Sequence, residues 1–442
     1  MKKKINYGRQ YIDKLDVNLV IKSLNENLIT TGNYVNLFEK KIRDKFKCKY
    51  AYSCCNGTAG LHLAYLTINL KKDDIVLMPS VNFIASYSMA KQLGAIIFLV
   101  DVDPITGQMT PEKILECIKL NKINKIKAIV TMYLGGYVEN NINFYNLKKR
   151  LNCYLIEDAC HAIGAKYKYK NKEHYIGSCK HSDMCVFSFH PVKTITTGEG
   201  GAIITNSKFF SEKIKILRNH GIIKNKKEYW KYNIKQMSFN YRLSDINCSL
   251  GISQLSKLNK FINQRKKIFD EYRNKLKNFK EFVKINNYNN KINGFHLIIL
   301  NINFNSLKST KDKMFRFLNK HNIFPQYHYI PLYKFSFHKK KYFNKFEGTE
   351  EYYKKSISLP IYYDLKKNDL AYIIKVIKKF FRLTMKKEKI LIIGGTGFIG
   401  YHLASKCIKF NWDVTSVSTK KPTKERRLKK VRYKICDISF KR

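Results

Sequence analysis

Between Ala51 and Asn206 the chain keeps returning to one pattern, a short apolar run followed by a stretch with helical spacing. The runs are Asp74–Met78, Ala95–Val100, Lys127–Met132, Cys153–Ile156, Met184–Phe189 and Ala202–Thr205. Such alternation predicts an α/β fold, a mostly parallel sheet with helices on both faces. Ligands of such sheets gather at the carboxyl ends of the strands. Upstream, Tyr34–Phe46 reads as an amphipathic helix. Downstream, Ser207 caps a helix carrying Phe210, Ile214 and Leu217, which Gly221 can end. Ser244 opens a long helical pattern through Ile246, Leu250, Leu255, Leu258 and Ile262. The rest, to about Thr384, reads as a smaller α+β unit with a strand at Phe295–Leu300 and a closing helix at Asp369–Phe381.

Residues 385–442 are organised separately. Met385-Lys386-Lys387-Glu388 looks like a fresh start. The run Lys389–Ile393 then leads through Gly394, Gly397 and Gly400 into a helix. A glycine pattern is weak alone, but in strand–turn–helix context it is a dinucleotide fingerprint, here for NAD(P). Strands at Asp413–Ser418 and Val431–Ile438 follow. No Tyr-x-x-x-Lys pair for hydride chemistry is present, so the segment reads as a truncated Rossmann-like fragment without its own activity. The domain expectation is therefore 1–245, 246–384 and 385–442.

A formal charge of +51, from 84 Lys+Arg against 33 Asp+Glu, would ordinarily suggest nucleic acid. Here the lysines are spread over the whole chain and travel with Asn and Ile, which is a composition bias; no nucleic-acid partner is expected. Eleven cysteines occur without a C-x-x-C pair. The cluster His174, Cys179, His181 and Cys185 matches no common zinc spacing, and no metal is expected. Reduced thiols fit the cytoplasm. Met1-Lys2-Lys3-Lys4 is not followed by an apolar run, and no stretch nears the ~18 apolar residues that span a bilayer. A soluble chain is expected.

The chemistry concentrates around Lys193. The stretch Phe187-Ser188-Phe189-His190-Pro191-Val192-Lys193 leads through Glu199-Gly200-Gly201 into a second strand. An amine enclosed there is desolvated, which lowers its pKa and makes it a nucleophile toward carbonyls, as in a Schiff-base lysine. In so basic a chain a surface lysine is the default for any single position. Cys55-Asn56-Gly57-Thr58-Ala59-Gly60 enters a helix, and N–H groups at a helix start bind phosphate; a plain helix cap is an equal reading. Ser188 offers a hydroxyl to the same phosphate. Asp158, ending the run Tyr154–Asp158, can hold a protonated pyridine nitrogen, or simply cap a helix. Phe83 can stack on a flat ring, although a lone phenylalanine is more often core. His161 is equally a structural histidine or a cofactor contact.

These residues carry a resemblance. Gly57-Thr58, Glu157–Ala165, Ser188–Lys193, Glu199–Gly201, Arg218–Ile222, Phe239–Ile246 and His328–Tyr333 are similar, in order, to the pyridoxal-phosphate (PLP)-dependent sugar aminotransferases of the DegT/DnrJ/EryC1/StrS family. Gly8-Arg9-Gln10 and His190–Thr197 point to the branch that aminates a UDP-4-keto-6-deoxy-N-acetylhexosamine for pseudaminic acid. The resemblance implies an aspartate-aminotransferase-like fold (PLP fold type I), glutamate as amino donor, a nucleotide-sugar substrate and a homodimer. It makes Lys193 the Schiff-base lysine and Asp158 the partner of the ring nitrogen. Phe83 becomes the stacking aromatic, and Gly57, Thr58 and Ser188 the phosphate contacts. Asn240 would reach the phosphate of the partner subunit. His161 lies beside the ring, and His328 and Tyr329 lie on the substrate side. The family more often shows Asn-Ser-Gly-Thr where this chain has Cys55-Asn56-Gly57-Thr58, so side-chain contacts from Cys55 and Asn56 do not carry over. Residues 385–442 resemble the start of a nucleotide-sugar epimerase or dehydratase. The rival readings are another keto-sugar (amination at C3, or a dTDP-linked sugar), a bifunctional aminotransferase–epimerase fusion, and nucleic-acid binding.

Overall fold

Each apolar run singled out between Asp74 and Thr205 is a strand, displaced by at most a few residues at its ends. The computed structural model describes residues 4–225, 227–228, 230–285, 292–338, 345–384, 389–410 and 412–437. The expected fresh start at 385–388, the first three residues of the basic opening and the strand end at 438 lie outside them.

Seven strands form the main sheet in the order Tyr50–Cys54, Gly201–Thr205, Met184–Ser188, Tyr154–Asp158, Ala128–Met132, Ile75–Pro79, Ile96–Val100. Only Gly201–Thr205 runs against its neighbours. Three of the strands are buried at every position, as strands covered on both faces must be. Alternation splits their side chains between two apolar layers: Val186 and Ile203 pack with Leu61 and Tyr65, while Phe187 and Ile204 pack with Phe38 and Phe46. The edge strand Tyr50–Cys54 and the hairpin Lys166–Tyr169/Lys172–Tyr175 escaped the sequence reading. Their half-exposed tyrosines and lysines lack the apolar run that marks a buried strand.

The long helical pattern opened by Ser244 is two helices, Asp245–Ser256 and Leu258–Leu276. The first closes with a short-range bond from Lys257 N–H to the Gln254 carbonyl, and the Lys257 amine lies 2.9 Å from Asp13 and 2.7 Å from Asp16. The strand expected from Phe295 begins at Ile298, because Phe295 occupies a left-handed turn at φ 46°. It pairs antiparallel with Val283–Ile285 and Ser356–Leu359.

By packing, the chain divides into two units, Met1–Ile302 with Phe315–Ile374, and Asn303–Met314 with Lys375–Arg442. Within the second, Lys389–Ile393, Asp413–Ser418 and Val431–Ile435 form a parallel three-stranded sheet in chain order. The helix Phe398–Lys409 packs on it through Ala404 and Cys407. Among the described residues no helix is long and apolar enough to cross a membrane.

Candidate active site

The carboxyl ends of the parallel strands open onto one cavity of about 560 Å³. Its walls include Gly57, Thr58, Phe83, Asp158, His161, Ser188, Lys193, His328 and Tyr329. These residues are spread over most of the first unit's length, and the sheet topology brings them together. Asn240 is not among them. It is exposed, and its Oδ1 accepts from the Arg242 N–H at 3.1 Å.

Gly57 is the first residue of the helix Gly57–Thr67. Asn56 caps that helix, its Oδ1 accepting from Ala59 N at 2.8 Å, so its side chain is committed to the backbone. The N–H groups of Gly57 and Thr58 have no acceptor among the described residues, and they carry the positive end of the helix dipole. Ser188 comes against this turn because position 57 has no side chain. A Cβ there would lie 2.9 Å from Ser188 Cβ and 3.1 Å from Cys160 Sγ. Two free N–H groups and the hydroxyls of Thr58 and Ser188 form an anion cradle.

The Lys193 amine has no hydrogen bond or ion pair among the described residues, while the Lys193 backbone N–H donates to the His190 carbonyl at 2.8 Å. Its amine lies below the usual lysine range because burial disfavours the charge, and the attraction of Cys160 and Asp158 only partly opposes this. Asp158 takes the cavity face of its strand, while Glu157 points the other way into a closed network. There Tyr133 donates to Glu157 Oε1 at 2.6 Å, and Asn141 and Ser182 donate at 2.7 and 2.9 Å. The adjacent acids thus have different work, Glu157 internal and Asp158 facing the cavity.

Asp158 is held by a residue that the sequence did not disclose. Ser86, fully buried in the helix Ile84–Gln92, donates its hydroxyl to Asp158 Oδ2 at 2.9 Å. The Cys160 N–H donates to Oδ1 at 3.2 Å. Phe83 is 52% exposed at the cavity edge, not in the core. Tyr7 is a second residue the reading missed. It lines the cavity and meets His328 edge-on at 5.1 Å. Both belong to segments whose local pattern carries no sign of a site.

His161 and His328 line the wall, and His296 packs against His161. His161 and His296 lie 4.3 Å apart between ring centroids, and His328 Nδ1 is 2.9 Å from Ser358 Oγ. Burial and the Lys193 charge push all three below the ordinary histidine range, His328 to about 3. Elsewhere, His181 Nδ1 pairs with the Tyr167 hydroxyl at 2.7 Å and Cys185 is fully buried. Among the described residues no group of three or more His, Cys, Asp or Glu could hold a metal.

The DegT/DnrJ/EryC1/StrS aminotransferase family matches residues 10–378. The UDP-4-amino-4,6-dideoxy-N-acetyl-beta-L-altrosamine transaminase of Campylobacter jejuni subsp. jejuni serotype O:23/36 (strain 81-176) is 34% identical over 372 residues, spanning 84% of this chain and 95% of that protein. Among solved structures, Helicobacter pylori PseC, an aminotransferase involved in the biosynthesis of pseudoaminic acid, aligns with a TM-score of 0.75 at 24% identity. That alignment covers 86% of this chain and 100% of PseC. The PLP-form of Spr1654 from Streptococcus pneumoniae aligns with a TM-score of 0.78 at 23% identity, over 87% and 100%. The fold is that of the PLP fold type I aminotransferases. Sequence match, fold and a cavity built around a lone unpaired amine lead to one assignment: this chain belongs to the DegT/DnrJ/EryC1/StrS aminotransferase family.

Proposed function

We propose that this protein transfers an amino group from glutamate to the C4 ketone of a UDP-linked 4-keto-6-deoxy-N-acetylhexosamine, in a pathway of the pseudaminic acid type. The observation that carries the reading is the unpaired Lys193 amine, sharing one cavity with the Asp158 carboxylate and the open helix end at Gly57. The substrate follows the name of the Campylobacter jejuni relative, and the strongly cationic chain suits a diphosphate.

The enzyme is a PLP-dependent aminotransferase. The cavity's donor set fits PLP: an anion cradle, a carboxylate, an exposed flat ring and a nucleophilic amine. When bound, PLP would supply an aldehyde carbon able to carry the amino group and an electron-withdrawing ring that eases proton removal beside it. This chain's residues do the rest. The Gly57 and Thr58 N–H groups and the hydroxyls of Thr58 and Ser188 bind the phosphate. Asp158, oriented by Ser86, holds the proton on the ring nitrogen. Phe83 provides a surface for the ring, and His161 stands beside it. Lys193 Nζ would anchor the cofactor and, once released, would carry a proton between cofactor and sugar, delivering it to C4, the former ketone carbon, which has none of its own. His328 and Tyr329 contact the sugar.

The working form is proposed to be a cytoplasmic homodimer. The hairpin Ile222–Lys224/Tyr232–Ile234 and the segment after it expose Tyr232, Ile234, Met237 (88% exposed) and Phe239, next to Asn240. A monomer rarely leaves so apolar a stretch open. Residues 1–245 are taken as the cofactor-binding domain, 246–384 as the smaller domain and 385–442 as a Rossmann-like segment. Nucleotide binding by that segment stands as the alternative reading. The test is mass spectrometry of products from a panel of UDP- and dTDP-linked keto sugars with glutamate. A 4-amino UDP-sugar is expected, and amination at C3, or of dTDP-sugars alone, would overturn the substrate assignment.

A further inference from the structure

Tyr329 and His161 form a hydrogen-bonded pair in the cavity wall, 3.0 Å between Oη and Nε2. Which of them donates is fixed from the far side of the imidazole. There the Gly135 N–H donates to His161 Nδ1 at 3.4 Å. A backbone amide can only donate, so Nδ1 is the bare nitrogen. The Gly135 carbonyl in turn accepts from the N–H groups of His296 and Leu297 at 2.9 and 3.1 Å, which holds this loop in place. His161 is 2% exposed, and burial with the neighbouring Lys193 keeps its ring neutral. Its single proton therefore sits on Nε2 and is donated to Tyr329 Oη. The phenol oxygen accepts, and its own hydrogen has no acceptor among the described residues. Burial pushes the Tyr329 phenol well up, so that hydrogen stays in place.

We propose that Tyr329 is a fixed hydrogen-bond donor into the cavity, directed at an oxygen acceptor joined to the reacting centre, and that His161 is the residue that positions and polarises it. Two oxygens have this chemistry once the site is filled: the ketone oxygen of the sugar and the phenolate oxygen of the PLP ring. Donation to either stabilises negative charge on oxygen, and the strength comes from a donor whose oxygen already accepts a bond. The proposal rests on the aminotransferase reading above, but its first test does not.

That test is ¹⁵N NMR of the histidine rings in the cofactor-free protein. His161 should show a bare Nδ1 and a protonated Nε2; the reverse tautomer overturns the proposal whether or not the enzyme aminates. Tyr329→Phe then separates the two acceptors. Losing one donor costs roughly tenfold. If the acceptor is the ring phenolate, the loss falls on PLP uptake by the cofactor-free protein and shifts its visible band. If it is the ketone, PLP uptake is unchanged and keto-sugar binding weakens. Both quantities within about twofold of wild type would overturn the proposal. For His161, Gln is the informative replacement, because its amide oxygen can accept from Gly135 and its NH₂ can donate to Tyr329. His161→Gln should retain most of whichever affinity Tyr329→Phe loses, and His161→Leu should lose it. A Gln variant no better than Leu, with matching thermal stability, would remove His161 from the positioning role. A wild type that never takes up PLP would instead sink the aminotransferase reading and leave the tautomer result standing.

Discussion

Two strand–turn–helix junctions in this chain look alike in sequence and differ in what surrounds them. One enters the helix Gly57–Thr67 and the other the helix Phe398–Lys409. In each, a glycine lets backbone or side chain come closer than a Cβ would allow. At Gly400 a Cβ would sit 2.5 Å from the Gly394 carbonyl oxygen, just as one at Gly57 would collide with Ser188. At the first junction a hydroxyl, an amine, a carboxylate and an aromatic ring arrive from other strand ends. At the second, Ile393, Phe398 and Ile399 are 62, 66 and 80% exposed. A glycine turn is the backbone half of a site, and the other half is supplied by topology.

The comparison can be broken most severely at Lys193. Lys193→Ala should lower amination by about 10³-fold or more, assayed by product mass spectrometry, because proton transfer and cofactor anchoring are lost together. A variant with wild-type turnover would show that the first junction is no more a catalytic site than the second. Asp158→Asn preserves shape but not charge, and kcat should fall about 10²-fold with PLP uptake less affected. Removing the hydroxyl that orients it is milder. Ser86→Ala should cost roughly tenfold in kcat, and Ser86→Thr should recover much of it if the hydrogen bond is what matters.

Acid should destabilise the first unit. The folded-state values of His161, His296 and His328 lie below the usual 6.5, so the folded chain binds fewer protons than the unfolded one. The stability this represents is complete above about pH 6.5 and is lost as pH falls toward the folded values, at roughly 1 kcal/mol per histidine per pH unit. Thermal melts between pH 7.5 and 5.5, chosen to bracket that usual value, should show the loss, and His328→Gln should reduce it. The smallest effect is expected at the second junction. Gly400→Leu should make the tail sensitive to protease while leaving amination within about twofold. Titration of that variant and wild type with NAD⁺ decides whether the fingerprint binds anything.

What the sequence made legible was main-chain order. Strand positions follow from apolar runs, and the turn around Lys193 follows from its glycines, because both signals are local. Side-chain roles decided at long range were not legible. Ser86 has nothing in its neighbourhood to mark it; its partner Asp158 lies 72 residues away. Tyr7 likewise reaches the cavity from the chain's start. Phe83, read alone, is a core residue, and only the end of its strand leaves it open. Glu157 and Asp158 are adjacent acids in the sequence, and strand alternation sends one inward and the other to the cavity. The long helix divides at Lys257, whose amine pairs with Asp13 and Asp16 from far along the chain, and periodicity does not register such partners.

The account depends on one nitrogen, Nζ of Lys193. Borohydride reduction of the PLP-loaded protein, followed by peptide mapping, examines it directly. The added pyridoxyl mass is predicted on the peptide that contains Lys193; its appearance on another lysine, or on none, would contradict the account.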